Sequence, residues 1–189
     1  MNEAKDADGG RRNSRKRVAA LSFLLFGSLS LLSVGCSNVK ELDYKPVRMD
    51  TDPARARTKA VSSRLLEMTG VKGKVTEPGP SVSRCEEYGD DLFSLRHPWS
   101  LYDLSGEDVD RGMSNLRKAL DRDGWKILKD GKADSRAQDP EIYAENKAEQ
   151  FDVHVTGVKR AARGDTMITF TVVSACFRAA SSEALDGQY

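Results

Sequence analysis

Two histidines, three cysteines and two tryptophans are a thin supply of chemistry for 189 residues. A zinc site draws on Cys, His and carboxylate ligands in close array. His97 and His154 lie far apart with no ligand spacing around them, so neither a metal nor another cofactor is expected. There is no Gly-x-Ser-x-Gly elbow for a nucleophilic serine and no glycine-rich loop to cradle a phosphate. Glu86, Glu87, Asp90 and Asp91 lack the alternating ligands and central glycine of a calcium loop, so they read as a solvated acidic turn. Asp130, Asp134 and Asp139 read the same way. An excess of one charge is also missing: 30 basic residues stand against 29 acidic ones. That balance is no footprint for nucleic acid. No internal repeat or low-complexity tract occurs, and there is one long apolar run.

That run follows Arg11, Arg12, Arg15, Lys16 and Arg17, extends from Val18 to Gly35, and closes as Leu32-Ser33-Val34-Gly35-Cys36. A basic start, an apolar stretch and small residues before a cysteine resemble the signal peptide and lipobox of bacterial lipoproteins. Ser33 stands where that family usually has Leu, Val or Ile. The resemblance implies that residues 1–35 are removed. Cys36 then carries acyl chains, palmitate among them, and the protein sits on the extracytoplasmic face of the cell membrane. An uncleaved membrane anchor and plain secretion are the alternatives, since about 18 apolar residues approach the spanning minimum. Ser22, Gly27, Ser28, Ser30 and Ser33 dilute the run and favour the signal peptide. Both the general secretory and twin-arginine routes remain open.

An oxidising compartment gives the other cysteines a role. Cys85 and Cys176 are an even pair once Cys36 is set aside. Glu86 and Glu87 beside Cys85 disfavour a reactive thiolate. A structural Cys85–Cys176 disulfide is therefore expected.

Residues 36–51 read as a lipid-anchored tether, 52–180 as a single globular domain, and 181–189 as a flexible C-terminus. Residues 40–74 carry 9 basic and 5 acidic residues, whereas residues 75–189 carry 15 and 21. The basic part adjoins the anchor, where anionic headgroups would lie. Asp52-Pro53 reads as a helix start, with Asp as N-cap and Pro at the first helical position. Val61, Leu65 and Met68 form the apolar stripe and Gly70 ends the helix. Arg55, Arg57, Lys59 and Arg64 lie off the stripe, where they would face solvent or membrane. Val71 to Cys85, interrupted by Pro78-Gly79-Pro80, reads as one irregular strand or a broken pair. Leu95 to Tyr102 reads as a strand with Pro98 at an edge or bulge. Ser105-Gly106-Glu107-Asp108 is a capping box, followed by the stripe Val109, Met113, Leu116 and Leu120 and a stop at Asp123-Gly124.

Three strands are expected to follow: one from Trp125 and Ile127, one from Phe151, Val153 and Val155, and a long one from Met167 to Phe177 ending near Cys176. Residues 129–141 read as a polar loop and Lys159 to Asp165 as a turn. The order predicts an α+β domain, with two helices packed on one face of an antiparallel sheet of about four to five strands. This layout resembles small uncharacterised lipoproteins of actinobacterial type, a likeness that brings no catalytic residues with it.

Functional signals concentrate around Pro98. His97, Trp99 and Tyr102 are a possible recognition surface, although a large aromatic in a strand is more often core. The chain reads as a binding or interaction module rather than an enzyme, engaging an envelope protein or cell-wall component. The alternative is an envelope hydrolase. A deep pocket converging on a histidine with carboxylates would favour the enzyme, and a flat aromatic patch the binder.

Overall fold

The clearest local signal folds as it reads. In the computed structural model, which describes residues 40–76, 78–160 and 165–188, helix α2 runs Gly106–Arg122. Ser105 accepts the Asp108 amide on its side chain, and Asp108 accepts the Ser105 amide in return. Val109, Met113, Leu116 and Leu120 are buried along one face. The first helix, α1, spans Thr51–Thr69 and ends at Gly70 with φ 60°, the left-handed turn that glycine adopts without strain. Its N-cap is Asp50 rather than Asp52, which lies inside the first turn.

The α+β expectation holds, with α1 and α2 packed against an antiparallel sheet. The sheet is larger than expected, with eight strands among the described residues. They are β1 (Lys74–Val75), β2 (Ser81–Arg84), β3 (Leu92–Tyr102), β4 (Lys126–Lys132), β5 (Pro140–Asn146), β6 (Phe151–Arg160), β7 (Asp165–Ser174) and β8 (Phe177–Arg178). The order is β1-β3-β7-β6-β5-β4, with β2 and β8 also paired to β3. β1 and β2 are the broken pair expected around Pro78-Gly79-Pro80.

Several segments depart from the sequence reading. The loop expected over residues 129–141 is confined to 133–139: β4 continues to Lys132 and β5 starts at Pro140. Paired with β6, β5 turns Ile142 and Ala144 into the core and Tyr143 outward. The long last strand breaks after Ser174, and Cys176 lies in the gap before β8. Part of the expected turn at Lys159 to Asp165, residues 161–164, lies outside the described residues.

From Lys40 onward the supposed tether is bound to the domain. The Lys40 amide donates to the Glu87 carbonyl, Met49 donates to Arg178, and Arg178 donates to Val47. The Tyr44 hydroxyl accepts the Cys176 amide at 2.7 Å. Nor is the C-terminus loose through Gln188: Glu183–Leu185 form a 3-10 turn with Leu185 fully buried. These segments are held by backbone bonds, by scattered polar side chains such as Tyr44 and Gln188, and by the buried Leu185, none of which leaves a periodic trace in sequence. The expected disulfide between Cys85 and Cys176 is formed and ties the end of β2 to the β7–β8 break.

Pairing lines up inward residues in rows across the sheet. One row is Trp99, Phe170, Val155 and Ile142; the next is His97, Val172, Val153 and Ala144. Trp99 and Phe170 stack at 3.9 Å, nearly parallel. Two glycines let α2 settle onto this surface. A Cβ on Gly112 would come 2.6 Å from Ile168, and one on Gly157 would come 3.0 Å from Val109.

β4 ends the sheet on one side. It pairs with β5 alone, and Lys126, Lys129 and Lys132 stand along it beside a register shift between Ile127 and Lys129.

Candidate functional site: a cleft between the first helix and the third strand

Pro98 explains where the cleft opens. Ser100 bonds Thr76 through both its carbonyl and its amide, so by strand alternation the nitrogen of Pro98 faces the same side. Having no N–H to offer, Pro98 sits where β1 has ended and β2 has not begun. There Pro78 and Gly79 stand off the ladder toward α1.

The opposite wall is a single helical stripe. Lys59, Ser62, Ser63 and Leu66 recur at i, i+3, i+4 and i+7. With Val75, Thr76, Pro78, Gly79, His97 and Trp99 they enclose about 350 Å³.

His97 is the polar member of an otherwise apolar inward row and is only 8% exposed. Its Nε2 lies 2.8 Å from the Pro78 carbonyl, which only accepts, so this nitrogen carries the proton. Nδ1 of the neutral ring is then free to accept the Ser62 hydroxyl, also at 2.8 Å. Burial pushes the His97 pKa below the ordinary histidine value. The Pro78 carbonyl opposes that shift, and the Lys59 ammonium adds to it. A neutral imidazole that bonds two neighbours is thus built into the cleft wall.

Trp99 contributes an unmet need. It is 4% exposed, and its indole N–H is buried without a hydrogen-bond partner. A buried donor left unpaired costs about 1–3 kcal/mol. Thr76 is also incompletely used: Oγ1 accepts the Ser100 amide, which leaves its hydroxyl proton to donate elsewhere.

The three residues expected to form one recognition surface are split. His97 and Trp99 line the cleft, whereas Tyr102 lies on the outer face of β3 opposite Met167. An odd spacing along a strand places side chains on opposite faces.

The basic residues of α1 are also redistributed. Arg55 donates to the Gln188 carbonyl at 2.5 Å and to its side chain at 3.1 Å. Arg57 bonds the Glu149 carbonyl at 3.0 Å and lies over the Phe151 ring. Arg64 reaches both Glu149 carboxylate oxygens, at 2.6 and 2.7 Å. All three are half-buried, so the expected solvent-facing basic face is corrected to Lys59 alone. Long guanidinium side chains curl over the helix rim to backbone and carboxylate oxygens.

His154 is far from this cleft in character. It stacks on Tyr143 at 3.9 Å on the outer sheet face, with Nε2 3.1 Å from Glu141. Glu141 also bonds Lys129 at 2.5 Å, and this bond chiefly holds its carboxyl below the usual value. The acidic residues are spread over ion pairs: Glu87 with Lys40, Asp91 with Arg178, Asp130 with Arg117. Among the described residues no group of three or more metal-ligating side chains comes together.

Sequence reasoning missed Ser62. The available signal was the run of hydroxyls Thr58, Ser62 and Thr69 on the buried side of α1, where an apolar helix face would carry aliphatics. No protein-family model, curated protein or solved structure matches this chain.

Proposed function

We propose that this chain is a lipid-anchored extracytoplasmic binding module whose site is the cleft between α1 and β3. On this reading Cys36 carries the lipid, residues 1–35 are a removed signal peptide, and the domain engages an envelope protein or cell-wall component. The observation that carries it is a concave site of about 350 Å³ that joins an apolar wall, Leu66, Val75 and Pro78, to the polar groups of Lys59, Ser63 and Thr76. Binding sites are concave, apolar in the main, and fixed by a few convergent polar groups. The Cys85–Cys176 disulfide fits an oxidising compartment.

A hydrolase has one observation in its favour, the 2.8 Å contact between Ser62 and His97. It resembles a nucleophile beside its base. Against it, Ser62 sits in the middle of α1 and is 5% exposed. The backbone amides around it are consumed by the helix, so they offer no oxyanion donors. A backbone carbonyl, not a carboxylate, orients the imidazole.

The test is capture from membranes with the native lipidated protein, in parallel with Lys59→Glu and Thr76→Ala. Binding reads as a specific set of envelope components retained by the native protein and lost from both variants. Equal retention by the variants rejects the cleft as the site. Stoichiometric labelling of Ser62 by a fluorophosphonate would instead establish the hydrolase.

A further inference from the structure

Resting on the lipid anchoring of that reading, we infer that one corner of the domain seats on the lipid headgroups: residues 40–49 with the turn 85–91 between β2 and β3. The length of chain before this corner carries the inference. The Lys40 amide donates to the Glu87 carbonyl at 2.7 Å, and its ammonium lies 2.5 Å from the Glu87 carboxylate. Tyr44, Val47 and Met49 are bonded to Cys176 and Arg178 in turn. The domain thus begins four residues after Cys36. Four residues reach at most about 14 Å. A domain of about 150 residues is about 30–40 Å across. Turning its far face to the bilayer would lift Lys40 beyond the reach of that link.

The corner has groups that suit headgroup level. Arg48 and Arg178 stand side by side across a parallel bridge, and Asp91 pairs with Arg178. Like charges directly opposite destabilise a sheet, and a headgroup phosphate between them would relieve that. Lys45 lines the same groove, and neither it nor Arg48 has a carboxylate partner among the described residues. Val47, 39% exposed, and half-buried Tyr88 add apolar surface. Glu41, Asp43, Glu86 and Asp90 are exposed nearby, so net attraction to an anionic surface does not press the corner down. The covalent link does, by making the contact intramolecular. The cleft is placed by the same corner. Lys59 and Leu66 lie 8 and 15 residues beyond the start of α1 at Thr51. That is about 12 and 22 Å along the helix, so the partners of the cleft are confined to the membrane-proximal layer.

The test adds the mature lipidated protein to preformed phosphatidylcholine vesicles and acetylates amines with a reagent that does not cross the bilayer. Flotation is measured first. Protein that does not float refutes the anchoring, and the seated corner with it. In floated protein Lys45 should react about fivefold more slowly than in the Cys36→Ser protein, since modification follows the fraction of time the corner is clear of the bilayer. Lys74, at the far end of β3 and paired with Asp103, should keep its rate. Salt at about 0.5 M, where the Debye length is only about 4 Å, should leave the protection of Lys45 in place. About twenty glycine and serine residues inserted between Asn38 and Val39 raise the mean reach to about 27 Å and should return Lys45 to its soluble rate. Floated protein with Lys45 unprotected overturns the inference and leaves the anchoring intact. Equal protection of Lys74 overturns it too, because the domain then has no fixed underside. Protection that vanishes in salt, or survives the longer link, also overturns it, since charge or surface affinity rather than the link then seats the domain.

Discussion

Removing the disulfide should cost this domain about a third or more of its margin of stability. Cys85 and Cys176 are separated by 91 residues. Cross-linking a loop of that length lowers the entropy of the unfolded chain by an amount worth about 4.6 kcal/mol at 25 °C. Domains of this size hold only about 5–15 kcal/mol in total. With a urea slope of about 2 kcal/mol per molar, the midpoint should fall by about 2 M. The assay is urea unfolding followed by tryptophan fluorescence on oxidised protein, reduced protein and the Cys85→Ala/Cys176→Ala variant. Reduced protein and the variant should coincide, with a steeper slope than the oxidised form because their unfolded chains expose more surface. The loss should be local in its first signs. Amide exchange should quicken at Met49, Arg178 and Ala179, which bond across this corner, before it quickens in the middle of β6 and β7. Midpoints within about 0.5 M of each other would refute the argument. They would mean that backbone bonds from residues 40–49 hold the corner unaided.

Three further outcomes are expected. His97 has a folded pKa below its ordinary 6.5, so the unfolded chain binds more protons below that pH. Its contribution is complete above about pH 6.5 and is lost as pH falls through the depressed folded value; a midpoint-versus-pH slope identical in His97→Gln would dismiss it. Gly112→Ala gains about 1 kcal/mol of helix propensity but sets a methyl 2.6 Å from Ile168 in a closed core. Overpacking costs about 1–3 kcal/mol, so the net should be a loss in thermal unfolding, whereas Gly131→Ala, with open space around it, should be near neutral. Cys36→Ser should move the protein from the membrane fraction to the soluble fraction, since firm anchoring needs two or more acyl chains; persistence of an uncleaved membrane-bound form would favour the transmembrane anchor.

Where structure is local, the sequence speaks plainly. Ser105 and Asp108 specify the start of α2 within four residues, and Phe151, Val153 and Val155 alternate as β6 must. β5 is silent by comparison. Its inward face holds only Ile142, Ala144 and Asn146, and its identity as a strand comes from pairing with β6. β4 is an edge strand with little to bury, so its lysines and Gly131 imitate a loop. The start of α1 is legible only to within a residue or two, since its N-cap is Asp50 and that side chain makes no cap bond. The site divides in the same manner. His97 and Trp99 stand out by composition and by Pro98 between them. Ser62 becomes visible only when α1 lies across β3, because its partner is 35 residues away.

The lysines of β4 have a consequence for crowding. An unpaired strand is a template on which a second copy can continue the sheet. Here such an addition would bring Lys126, Lys129 and Lys132 against a neighbour's like charges, and the register shift at Ile127 would twist the two ladders out of step. Proteins held in a plane reach local densities far above those of free solution, the regime in which edge-to-edge growth is hardest to avoid. Under the lipid anchoring proposed above, β4 is shaped to stay single, which leaves copies of this domain free to stand side by side without fusing into a common sheet.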